Sequence, residues 1–453
     1  MNAGSLFARH ALLPDGWAEQ VRLTWDAGGT LTEVRPGAAA DGETTMEWVV
    51  PGMVNLHSHA FQRAMAGLAE TAGDSEDSFW TWRELMYGFA GRITPEQLEA
   101  VAAQLFVDCL RHGYTSVCEF HYLHRDPGGR QYAAPAEMAA RVASAAQATG
   151  MGLTMLPVLY SHGGFGGQAL GERQRRFNSG VDDVLAIVAA LAPLRSGQFE
   201  TGAAPHSLRA AALPQIVELA AALPAGRPLH IHIAEQQAEI DACLAAHGQR
   251  PVALLLEHAP VDARWCLVHA THVTDAEVAG MAASGAVAGL CPSTEANLGD
   301  GLFPLTPFSA AGGRFGIGSD SHVGTSPVEE LRWLEYGQRL RAQRRNIAVG
   351  PRQKNVGDFL WQQALLGGAQ ASGRPVGALE VGRRADLLVL DSEHPNLAGA
   401  RASEILGLLI FAGNDNLVRD VLVGGRWVVR AGRHAEQDAI ARRYLAALTQ
   451  LRE

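Results

Sequence analysis

No apolar run in this chain approaches the roughly 20 residues a membrane-spanning helix needs, so no membrane association is expected. The first residues carry Arg9, His10 and Asp15 instead of an apolar secretory region, so the expected location is the cytoplasm. Cysteine is sparse and unpaired in pattern. Cys109, Cys118, Cys243, Cys266 and Cys291 are odd in number and form no Cys-x-x-Cys, which argues against a disulfide frame or a thiolate metal site and for reduced, mostly buried thiols. Positive charge is also short: 37 Lys and Arg face 47 Asp and Glu, a net charge of -10 that speaks against a nucleic-acid-binding face. Lysine is nearly missing, since Lys354 is the only one, and almost every cationic side chain is arginine.

What is present is the composition of a globular protein, 47% apolar and 19% charged over 453 residues. That length exceeds one average domain but suits a barrel with an appended sheet. The most informative stretch is 50–60, an apolar run that closes on His57-Ser58-His59. On a strand, residues two apart project from one face, so both imidazoles can aim at one point, as a divalent metal requires. A pair of hydrogen-bonded core histidines is the bland alternative.

Residues 21–25 and 31–34 flank the turn Asp26-Ala27-Gly28-Gly29 as a hairpin would, and 385–391 and 421–429 repeat that character around Gly424-Gly425. A few strands at either terminus make poor isolated sheets, so 1–50 and 378–453 are expected to form one small β-domain, with 51–377 inserted between its halves. That insertion alternates short apolar runs with helical patterns, the layout of βα repeats. After the opening strand the runs fall at 115–120, 153–159, 201–206, 229–232, 266–269, 286–290 and 315–320. Among the helices, 95–112 has Thr94 as cap, Pro95 in its first turn, Gln97 to complete a capping box and Gly113 as stop. Eight such units predict an α/β fold, a closed (β/α)8 TIM-like barrel with the small β-domain built from both termini.

Polar residues mark the ends of these runs, the face where a barrel keeps its chemistry: His232 with Glu235 three residues on, then His269, then Asp320. Any one could be a helix cap or a hydrogen-bonded core residue. Four strand ends bearing metal-ligand types point to a metal site.

Together, His57-Ser58-His59, His232-Ile233-Ala234-Glu235, His269 and Ser319-Asp320-Ser321 resemble the motifs of the amidohydrolase superfamily, in its mononuclear deaminase branch. The resemblance runs the length of the chain, including the return segment at 377–386. It implies metal ligands His57, His59, His232 and Asp320, with catalytic proton handling by Glu235, His269 and Asp320. Binuclear relatives bridge two metals through a carboxylated lysine on a barrel strand. The sole lysine here follows the eighth strand, so one divalent ion is expected, zinc by preference. In such a site a metal makes water nucleophilic near neutral pH, and Glu235 supplies the acid that breaking a C–N bond needs; a role for Glu235 in merely supporting a ligand stays open.

Arg83 and Arg209 lie in predicted loops on the catalytic face, as do Gln62, Tyr122 and His206. Arginine grips a carboxylate through two parallel hydrogen bonds, so two of them in an acidic protein suggest a ligand with two carboxylates; surface ion pairs are the alternative. The segments 55–63, 79–83, 119–122 and 205–209 are similar to those of the N-formimino-L-glutamate iminohydrolase family of histidine degradation. That resemblance implies release of ammonia from a small acidic amino-acid derivative, with Gln62, Arg83, Tyr122, His206 and Arg209 holding the glutamate portion, in a homodimer. An aminohydrolase of a nucleobase or triazine would keep the metal residues without the arginine pair, and a noncatalytic scaffold would be expected to have lost ligands. Gly163-Gly164-Phe165-Gly166-Gly167 lacks the Gly-Lys-Ser/Thr ending of a phosphate loop and reads as a lid or a plain loop. Trp80 and Trp82 are expected to pack a loop.

Overall fold

The computed structural model describes residues 3–71 and 79–453, with the side chains of Phe79 and Trp80 left aside. The chain opens with β1 (Gly4–Leu13), β2 (Gly16–Trp25), β3 (Leu31–Arg35) and β4 (Thr44–Pro51). The expected hairpin joins β2 to β3, and its turn is held by Asp26, whose side chain accepts from the Thr30 N–H at 2.9 Å. Parallel strands follow: β5 (Met53–Ser58), β6 (Tyr114–His121), β7 (Gly152–Leu159), β8 (Phe199–Thr201), β9 (Ala204–Pro205), β10 (Leu229–Ile233), β11 (Trp265–His269), β12 (Val287–Leu290) and β13 (Arg314–Ile317). The return segment supplies β14 (Leu387–Leu390), β15 (Val418–Val423), β16 (Arg426–Arg430) and β17 (Arg433–His434).

Both termini build a single eight-stranded sheet in the order β17-β16-β15-β14-β4-β1-β2-β3. Period-two alternation divides its side chains between two cores. Val49, Leu387 and Val389 join a small cluster with Leu6, Leu23 and Trp25, while Trp48, Val50, Leu388 and Leu390 face the main core. The final helix, Gln437–Arg452, reaches across to the helix Pro95–His112, where Gln97 Nε2 donates to Gln450 Oε1 at 2.9 Å.

The parallel strands form two ladders, β5-β6-β7-β8 with β9 on β7, and β10-β11-β12-β13. Single parallel bridges join them at both edges, Ala203 to Leu229 and Ser58 to Asp320. The predicted strand 201–206 is broken in two because Gly202 lies against the Pro228 carbonyl, 2.3 Å from where a Cβ would sit, and Ala203 turns to pair with Leu229. The last run likewise stops pairing as a ladder at Ile317, yet the Asp320 N–H still reaches the His57 carbonyl at 3.0 Å.

The helix Pro95–His112 forms as read: Gln97 N donates to Thr94 Oγ1, Gln97 Oε1 accepts from the Thr94 N–H, and Gly113 ends it at φ 107°. All five cysteines are free and buried. Among the described residues no helix is long and apolar enough to cross a membrane.

Candidate active site

Alternation along β5 sends His57 to one side and Ser58 to the other, and His59 follows just past the strand end. His57 Nε2 lies 3.1 Å from His59 Nε2 and 2.9 Å from His232 Nε2, a residue of β10. Asp320 Oδ1 completes the group at 3.4 Å from His57 Nε2 and 3.2 Å from His59 Nε2. Asp320 is held at φ 46°, in the left-handed region, as are His269 at 68° and Ala234 at 52°. Such backbone is costly for these residues and persists only where surrounding contacts enforce it.

The residues fit a metal ion. A tetrahedral ion with ligands at about 2.0–2.1 Å keeps its donor atoms roughly 3.3 Å apart, the spacing of this group. His59 donates Nδ1–H to the Phe120 carbonyl at 2.9 Å, which leaves the Nε2 lone pair turned to the cluster. Burial holds His57 and His232 well below the ordinary imidazole pKa, in the neutral form that ligates. Lys354 is exposed, away from any strand.

Beside the cluster sits His269 at the end of β11. Its Nε2 faces Glu235 Oε1 at 3.8 Å and Asp320 Oδ2 at 3.9 Å, and its Nδ1 faces Glu295 Oε1 at 3.3 Å. Burial opposes charge on this imidazole, but Glu235, Glu295 and Asp320 outweigh it and push the pKa to about 10. Burial raises the Glu235 carboxyl to about 7, against the pull of His269. The sequence reading missed Glu295, which also accepts from the Cys291 N–H at 2.9 Å from the first turn of the helix Pro292–Leu298. A first-turn glutamate looks in sequence like an ordinary answer to the helix dipole.

A cleft opens over these groups. Gln62, Arg83, Tyr122, His206 and Arg209 all line it, with Glu235, His269 and Asp320 at its floor. Gln62 Nε2 donates to the Tyr122 hydroxyl at 2.8 Å, and both side chains are buried. The His206 ring lies 4.9 Å from that of His232.

Arg83 is not on a loop: it belongs to the helix Phe79–Arg92. Residues three and four apart share a helix face, which brings Arg83, Met86 and Tyr87 to the cleft together, with the guanidinium 5.4 Å from the Tyr87 ring centre. The tryptophans expected in a loop are helical too. Trp82 lines the cleft, whereas the side chain of Trp80 lies outside the described residues. Tyr87, Tyr160 and Phe177 also line the cleft and were not singled out from the sequence, where isolated aromatics read as core. The glycine-rich stretch makes a tight turn closed by Gly163 N–H to the Gln168 carbonyl at 2.8 Å.

A model described as "Amidohydrolase family" matches residues 48–428, and one described as "Formimidoylglutamate deiminase HutF, N-terminal domain" matches 4–45. The formimidoylglutamate deiminase of Pseudomonas aeruginosa is 58% identical over 99% of this chain and 99% of its own length. Among solved structures, an amidohydrolase from Brucella melitensis superposes with a TM-score of 0.94 at 48% identity, covering 99% of this chain and 100% of that one. An adenosine deaminase from Xanthomonas campestris with bound zinc shares the fold, with a TM-score of 0.81 at 21% identity over 99% and 98% of the two chains.

Proposed function

The chain belongs to the amidohydrolase family, and from that premise we propose that it hydrolyses N-formimino-L-glutamate to N-formyl-L-glutamate and ammonia. The observation that carries the reading is that Arg83 and Arg209, candidate clamps for two carboxylates, line the same cleft as His59, His232 and Asp320 of the His57, His59, His232 and Asp320 cluster. The named relative supports the same substrate. The two parallel ladders and their edge bridges are read as a closed (β/α)8 barrel spanning 51–377, with 1–50 and 378–453 as the small β-domain.

His57, His59, His232 and Asp320 would hold one divalent ion, zinc by preference, and the exposure of Lys354 agrees with a single ion. Bound there, the ion supplies Lewis-acid chemistry that makes water a nucleophile near neutral pH. Asp320 takes a proton from the attacking water as the oxygen adds to the formimino carbon, and His269, whose imidazole the surrounding carboxylates keep protonated, orients that water. Glu235, held neutral by burial up to about 7, donates its proton to the imine nitrogen; the proton that Asp320 took from water then passes to the departing amine while Glu235 regains one from the hydroxyl of the addition product, so the C–N bond breaks with ammonia as leaving group. Gln62, Tyr122 and His206 orient the glutamate portion between the arginines. A small acidic substrate, no nucleic-acid or membrane partner, a cytoplasmic location and a homodimer complete the proposal.

The test is ammonia release by purified protein of measured metal content, from N-formimino-L-glutamate and, separately, from guanine and cytosine. Turnover of the glutamate derivative alone is expected. Turnover of a nucleobase without it would overturn the substrate and favour the heterocycle aminohydrolase.

A further inference from the structure

Between the two ligand histidines of β5, Ser58 turns its hydroxyl to the other side of the strand and into a buried polar network that the reaction does not use directly. Ser58 Oγ donates to Glu119 Oε2 at 2.6 Å, while Glu119 Oε1 accepts from the Ala60 N–H at 2.7 Å. Glu119 therefore grips the residues on both sides of His59. Ser58 Oγ also meets His322 Nε2 at 3.3 Å, and His322 Nδ1 meets Ser319 Oγ at 2.8 Å. Asn55 closes the chain: its Nδ2 donates to Ser319 Oγ at 2.6 Å, and its Oδ1 accepts from the Ser319 N–H at 3.0 Å. Asn55, Ser58, Glu119, Ser319 and His322 are all at most 1% exposed.

With Glu119 as the carboxylate, accepting at both oxygens, the direction of each bond follows. Two backbone N–H groups, of Ala60 and Ser319, can only donate and so fix the ends. With the Ser58 hydrogen given to Glu119, the Ser58–His322 bond must be donated by Nε2–H. The neutral imidazole then has Nδ1 free to accept from the Ser319 hydroxyl. Every group between the ends is satisfied, which a buried network needs to be stabilising.

We propose that Glu119 and His322 are positioning residues which, through Ser58 and Ser319, lock the strand end bearing His57 and His59 to the one bearing Asp320. The proposal rests on the metal site above. The lock acts where the backbones of the two strand ends are joined by one parallel bridge between Ser58 and Asp320, made by the bonds from Asp320 N to the His57 carbonyl and from His59 N to the Asp320 carbonyl. Arg63 adds a clamp from outside, donating from Nη1 to the His322 carbonyl at 3.0 Å while its Nη2 holds Asp108. His322 itself sits at φ 62°. Removing the lock loosens the spacing of His57 and His59 against Asp320.

Glutamine keeps the shape of Glu119 but sets an N–H against either the fixed Ala60 N–H or the Ser58 hydroxyl, so it loses the first bond or forces the Ser58 and His322 hydrogens to rearrange. The measurement is Zn2+ affinity by chelator competition on metal-free wild type, Glu119→Gln, His322→Phe and Ser58→Ala, together with the unfolding temperature of each metal-free protein. Each variant is expected to bind Zn2+ about 10- to 100-fold more weakly, the range seen when outer partners of metal ligands are lost. The Glu119→Gln, His322→Phe double variant is expected to lose less than the product of its singles, since both act through Ser58. Ser58→Ala removes one oxygen and carries the test if a larger change prevents folding. Unchanged affinity in folded variants, or a loss matched by equal destabilisation of the metal-free fold, overturns the lock alone. A wild type that binds no Zn2+ overturns the metal site and the lock with it.

Discussion

His57 Nε2 and His232 Nε2 lie 2.9 Å apart although 175 residues separate them in the chain. His59 Nε2 lies 3.1 Å from His57 Nε2 and Asp320 Oδ1 3.4 Å from it, so three imidazole nitrogens and a carboxylate oxygen crowd one point. One ion held by His57, His59, His232 and Asp320 would use all four donors.

Removing one donor should therefore empty the site. His232→Asn and Asp320→Asn are each expected to abolish stoichiometric zinc and reduce ammonia release to background, measured by elemental analysis and a coupled ammonia assay. Either variant with a full equivalent of metal and normal rates would count against the assignment.

Arg209 lies in the cleft but outside the cluster, so its loss should separate binding from metal. Arg209→Ala is expected to raise KM for N-formimino-L-glutamate by roughly 30-fold or more, on the order of 2 kcal/mol or above for a lost carboxylate partner, with metal content unchanged. Arg83→Ala should behave likewise. Joint loss of metal would show that these side chains support the cluster.

Glu235→Gln should keep zinc and lose most activity, since the amide has the shape of the carboxyl but cannot deliver the proton. Near-normal kcat in this variant would refute the acid role.

The pH profile carries the same assignment. An acid with a pKa of about 7 is competent below that value, so kcat/KM should fall as pH rises through about 7, tenfold for each further unit. A rate that climbs through this window would make Glu235 a base in the free enzyme.

Gly318 tests the join between the ladders. A Cβ there would sit 2.7 Å from the His57 backbone nitrogen, so Gly318→Ala must push apart the strand ends that carry ligands. A loss of about 1–3 kcal/mol in unfolding free energy is expected, with weaker zinc binding. Wild-type stability would mean that the backbone yields freely at this join.

Features governed by neighbours in sequence were legible in it. The Thr94 cap, the Asp26 hairpin and the His57/His59 pair each depend on contacts within a few residues, where propensity and side-chain period apply. The helix carrying Arg83 was hidden because tryptophan and threonine are weak helix formers, and cleft packing decides the matter. Glu119 and His322 were invisible for another reason: their partners lie 61 and 264 residues from them. A carboxylate within a strand reads as a solvated face until the fold buries it. The break at Gly202 follows similarly from a distant carbonyl, that of Pro228.

The most direct measurement is anomalous diffraction at the zinc absorption edge from crystals of the zinc-loaded protein. One peak is expected, bounded by His57 Nε2, His59 Nε2, His232 Nε2 and Asp320 Oδ1 at about 2.0–2.2 Å. Two peaks, or one peak remote from these four atoms, would contradict the account.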